Sequence, residues 1–134
     1  MLACHKVVEA LVESSTTAKS EKLQLIARCG LQRRNSQRMA MLYAAKSWGV
    51  NYNVDKELNE IIEIFEKTLD FLLKNPNNTP EIEKILKFHR GEWIFLRKTF
   101  DTPDSLKPEQ VISSTKLIFK DFDVLTTMYE KINL

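Results

Sequence analysis

Leu58-Asn59-Glu60-Ile61-Ile62-Glu63-Ile64-Phe65-Glu66-Lys67-Thr68-Leu69-Asp70-Phe71-Leu72 is the stretch that decides the fold class of this chain. Leu58, Ile61, Ile62, Phe65, Leu69 and Leu72 recur at three- and four-residue steps, which puts them on one face of an α-helix. Asn53 or Asp55 can cap the start of that helix. Asp55, Glu57 and Glu60 suit the positive end of its dipole. Lys74-Asn75-Pro76-Asn77-Asn78 reads as a loop by composition. Thr79-Pro80-Glu81 then opens a second helix, with Thr79 as N-cap and Pro80 at the first helical position. Its stripe is Ile82, Ile85, Leu86, His89, Trp93, Leu96 and Phe100, and Asp101-Thr102-Pro103-Asp104 breaks the chain after it. A last helix opens near Ser105 to Pro108 and carries Val111, Thr115, Ile118, Phe122, Leu125, Tyr129 and Ile132 on one face.

The first 50 residues are less regular. Leu25, Ile26, Cys29, Met39, Leu42, Ala45 and Trp48 fit a helix that Gly49 closes as a C-cap. Val7, Val8 and Leu11 are also helical in spacing, but Ser14-Ser15-Thr16-Thr17 is a poor helix interior. One long helix, or a short helix joined to a longer one by a bend, fits this pattern; the favoured reading is the long helix with a weak point near Ser14 to Thr17. Four amphipathic helices, short connections and no alternating strand pattern predict an all-α fold: an antiparallel up-down four-helix bundle with a long first helix. With 134 residues, positions 1–134 read as a single domain built on one core.

Composition narrows the function classes. No apolar run approaches the roughly 20 residues of a membrane span, and Met1 to Lys6 has no signal-peptide h-region. A complete chain would therefore be expected in the cytoplasm. A domain excised from a membrane receptor would be periplasmic, with its membrane segments absent from this chain. Cys4 and Cys29 have no metal-like spacing, and with His5 and His89 they would have to converge from separate helices to hold an ion. No metal site or cofactor is expected. No nucleophile–base pair or phosphate loop appears either, and the chain does not read as an enzyme.

Charge is unevenly spread. From Lys22 to Val54 there is no acidic residue, whereas Lys22, Arg28, Arg33, Arg34, Arg38 and Lys46 are basic. Gly30 lies among them in mid-helix, where glycine costs about 1 kcal/mol relative to alanine, and this suggests close backbone approach to a helix or a ligand. The modest net charge of +2 and the apolar residues threaded through the segment argue against nucleic acid.

Gly30-Leu31-Gln32-Arg33-Arg34-Asn35-Ser36-Gln37-Arg38-Met39-Ala40 resembles the G-x-Q-R-x-x-S-Q-R-x-A signature of PilJ-type sensor domains. These are the N-terminal domains of type IV pilus methyl-accepting chemotaxis transducers, similar to the nitrate- and nitrite-sensing domains of NarX-like receptors. Leu42-Tyr43, Gly49 and Trp93 fit the same family. The resemblance implies a bundle that dimerises through its first helix in a signal-transduction receptor. It also implies a small inorganic anion, nitrate or nitrite, held on the dimer axis by Arg33 of each subunit. Gln32, Ser36 and Gly30 are the implied companions of Arg33 at the ligand. Arg34, Asn35, Gln37 and Arg38 are read as supporting or interface residues. The chain departs from the family at Ala27, where asparagine is usual, and at Leu31, where a basic residue is usual. It departs again at Arg34 and Asn35, where the family has apolar residues, so the site region here is more polar and more positive. The alternative reading is a ligand-free helical interaction module whose basic first helix meets an acidic partner.

Phe88-His89-Arg90-Gly91 partly resembles a phosphotransfer motif. Its glycine comes too early, however, and His89 is in phase with Ile82, Ile85, Leu86, Trp93 and Leu96. It is expected to be a buried structural histidine and not a phosphorylation site.

Overall fold

The computed structural model describes residues 17–50, 53–101 and 108–132. They form four helices: α1 (Thr17–Ser47), α2 (Val54–Leu73), α3 (Pro80–Asp101) and α4 (Pro108–Lys131). Each helix packs on its neighbours in sequence, and α4 closes the ring against α1. Neighbours run antiparallel. Across α1 and α2, Gln32 meets Phe65 while Lys46 meets Asp55; across α2 and α3, Asp70 meets Arg90 while Glu66 meets Arg97. The molecule is an up-down four-helix bundle, as the periodicity predicts. The reading of Ser14 to Thr16 as a weak point lies outside the described residues, as do Cys4 and His5; from Thr17 onward α1 is continuous.

The stripes of α2, α3 and α4 enter one core as read. Phe65 lies at its centre, with its ring 4.4 Å from Trp93 and 6.2 Å from Phe122. Tyr43 closes one end against Phe100 at 5.6 Å. At the other end the Tyr129 hydroxyl donates to Asn78 Oδ1 at 2.7 Å, tying α4 to the α2–α3 loop.

The helix ends follow local chemistry. Thr79 Oγ1 accepts from the Ile82 amide at 3.2 Å, so the expected cap of α3 is present. Gly49 sits at φ +85°; its amide donates to the Lys46 carbonyl and that of Val50 to the Ala45 carbonyl, a Schellman turn. Two expectations change. Asn53 holds the N-cap position of α2 at φ 55° but makes no side-chain cap bond, while Asp55 lies inside the first turn. Trp48, read as an inward residue, is 76% exposed, because seven residues past Met41 it shares that residue's exposed face.

Candidate functional site

The basic segment of α1 divides among three directions. One face enters the core, and there the helix is polar in its middle: Gln32, Asn35 and Ser36 are all buried. Gln32 Nε2 donates to the Phe65 carbonyl of α2 at 3.1 Å, and Ser36 Oγ donates to the Arg33 carbonyl at 2.7 Å. Gln32 Oε1 and Asn35 Nδ2 are buried with no hydrogen-bond partner. Gln32 and Ser36 thus point into the bundle.

The second direction is along the seams. Arg28 lays its guanidinium over the Phe71 ring of α2, 4.6 Å from the centroid. Arg33 crosses to α4, where Nη1 donates to Asp123 Oδ1 at 2.8 Å and the guanidinium carbon lies 5.9 Å from the Phe119 centroid. Its side chain is 29% exposed. The Nε of Arg33 is buried without a hydrogen-bond partner, so part of the guanidinium fork is unused. Asp123 had no signal in the sequence, since the pairing spans 90 positions and depends on how α4 closes the ring.

The third direction is outward. Ala27, Arg34, Met41 and Trp48 are exposed at seven-residue steps, with Arg38 and Gln37 beside them. Seven residues are close to two helical turns, so these positions share one outward side of the helix. Neither Arg34 nor Arg38 has a salt bridge among the described residues, whereas Lys46 pairs with Asp55 at 2.8 Å. Gly30 borders this face. A Cβ there would meet only Arg33 Nη2, at an ordinary 3.6 Å, so the glycine does not mark a close approach of another helix. Between α1 and α4 the same side carries a mostly apolar groove of about 670 Å³, lined by Ala40, Met41, Ala44, Trp48, Ile112 and Phe119 among others.

Deeper in the same seam, Cys29 is fully buried and its thiol is pushed up to about 12 by desolvation. The Thr126 hydroxyl and the Arg33 charge pull it only partly back. Across the bundle, His89 is 2% exposed and stacks on Phe122 with ring centroids 5.1 Å apart. Burial lowers its pKa, against the opposing pull of Asp121, Glu92 and the nearby Ile118 carbonyl. The expectation of a buried histidine holds, and an imidazole so enclosed is badly placed to accept a phosphoryl group. Comparison of the chain with protein-family models, curated proteins and solved structures finds no match.

Proposed function

We propose that this chain is the ligand-sensing domain of a signal-transduction receptor, in which α1 mediates homodimerisation and a small planar oxyanion binds at the interface through Arg33. The observation that carries the reading is the half-used guanidinium. Arg33 gives Nη1 to Asp123 and leaves Nε without a partner, while Nη2 leans over Gly30, where no side chain intervenes. A planar guanidinium pairs bidentately with nitrate or nitrite; because Nε is buried, an anion using it would have to enter beside Gly30 as the side chain swings off Asp123. The exposed heptad positions of α1 supply a surface for a second copy, and Arg34 and Arg38 make that surface anion-seeking. In this account Asp123 holds the guanidinium while the site is empty, and the anion competes with it.

Calorimetric titration with nitrate and nitrite tests the reading. Arg33→Ala abolishes binding and leaves helix content and thermal midpoint nearly unchanged, because an exposed ion pair contributes at most about 1 kcal/mol. Loss of binding in Arg34→Ala with retention in Arg33→Ala would move the site to the outward arginine.

A second reading is favoured by a specific contact: the 2.8 Å Arg33–Asp123 pair already neutralises the motif arginine. On that reading the outward arginines serve a ligand-free interaction module that docks an acidic partner. No heat with either anion, together with salt-sensitive binding of an acidic peptide lost in an Arg34→Ala, Arg38→Ala double variant, would favour it.

A further inference from the structure

His89 of α3 faces carboxylates on two sides. Its Nε2 lies 3.3 Å from Asp121 Oδ2 of α4, and its Nδ1 lies 3.7 Å from Glu92 Oε2 one turn along α3. Neither ring nitrogen is aligned for a hydrogen bond, although the side chain is 2% exposed. The Ile118 backbone offers the ring one weakly aligned contact, which leaves one buried nitrogen open to an occupant.

Three further features say what that occupant is. One ligand atom from each of His89, Glu92 and Asp121 falls within 4.8 Å of the others, and two ligands of a tetrahedral ion with bonds near 2.0–2.1 Å stand about 3.3 Å apart. Neither Glu92 nor Asp121 pairs with a lysine or arginine among the described residues, whereas Glu66, Asp70, Asp101 and Asp123 each do. Two unmatched carboxylates carry the charge that balances a dication. The imidazole ring is fixed by stacking on Phe122, and burial favours its neutral form, which keeps a lone pair for a metal. Access is open as well. The two carboxylate side chains are 37% and 31% exposed, and Glu92 lines a groove of about 520 Å³ between α3 and α4.

We propose that His89, Glu92 and Asp121 bind one divalent first-row transition cation of the zinc type. One imidazole and two carboxylates suit such an ion better than magnesium or calcium, which take oxygen ligands. Three protein ligands leave at least one coordination position for water or an added ligand, on the side of the groove. The site uses none of the residues of the α1 motif, although Asp121 lies on the same helix as Asp123, the partner of Arg33.

The test titrates Zn²⁺ into the chelator-stripped full chain by calorimetry, with metal content per chain measured after dialysis. Asp121→Asn and Glu92→Gln are the main variants, because both side chains are partly exposed and near-isosteric changes preserve the fold, checked by circular dichroism. One Zn²⁺ per chain, a thermal midpoint raised by the metal, and at least tenfold weaker binding in each variant are expected. No stoichiometric zinc, or zinc binding unchanged in Asp121→Asn, would overturn the assignment.

Discussion

Gln32 and Arg33 are adjacent in sequence and part at once, the amide into the core and the guanidinium along the surface to Asp123. The amide is the more consequential of the two for stability. It gains one bond, to the Phe65 carbonyl, and leaves Oε1 buried without a donor. An orphaned buried acceptor costs more than a single neutral hydrogen bond contributes. Gln32→Met, which keeps the volume and removes both polar atoms, is therefore expected to raise stability by about 1 kcal/mol in urea unfolding. A loss of similar size would mean that Oε1 has a partner and that the amide organises the core. Cys29, one turn earlier, sets an alkaline limit. Burial pushes its thiol up to about 12 from an ordinary 9.0, and burial also raises the Tyr129 hydroxyl. A raised folded pKa means the unfolded chain gives up its proton first. The contribution of Cys29 is thus intact below pH 9 and is lost as pH rises through 12. The thermal midpoint should fall over that interval, and less steeply in Cys29→Ala; equal slopes would show that the thiol is not shielded.

At the scale of the element, the contrast between α1 and the other helices explains what could be read in advance. In α2, α3 and α4 the buried positions are mostly apolar, with threonines and His89 set singly among them, so spacing located their core faces, His89 and Trp93 included. In α1 the buried face is interrupted by Gln32, Asn35 and Ser36, which the family resemblance had marked as ligand or supporting residues. A polar residue on a helix has no period that separates a core hydrogen bond from an exposed donor. Packing distinguishes them: α2 offers Gln32 the Phe65 carbonyl, and the closure of α4 onto α1 supplies Asp123 to Arg33. Trp48 was misplaced because it stands in phase with exposed Met41 and Arg34 and not with buried Tyr43 and Ala44. Gly30 is likewise an element-scale matter. Nothing but the Arg33 guanidinium approaches it, so Gly30→Ala should stabilise α1 by up to about 1 kcal/mol through helix propensity. If the space over Gly30 serves the anion, the same substitution weakens nitrate binding while the thermal midpoint rises. A stabilised variant with unaltered nitrate affinity would remove Gly30 from the site.

For the whole molecule the question is how a bundle of this kind reports a bound anion. If α1 pairs with a second α1, the arginines of the two chains approach each other with no carboxylate of their own helix between them. Two bare unit charges about 5 Å apart repel by roughly 3 kcal/mol at an effective dielectric near 20; Asp123 offsets part of this for Arg33, and what remains, with Arg34 and Arg38, weakens an empty dimer. A monoanion between them turns that repulsion into attraction, and linkage requires that dimerisation tighten anion binding by the same factor. Drawing two first helices together would also displace whatever is attached to their ends, which is the form a signal would take. Sedimentation over a concentration series, with and without saturating nitrate at constant ionic strength, tests this most directly. The account predicts a dimer constant strengthened at least tenfold by nitrate and unresponsive to it in Arg33→Ala. A dimer constant unmoved by an anion shown to bind would contradict a shared site between two first helices.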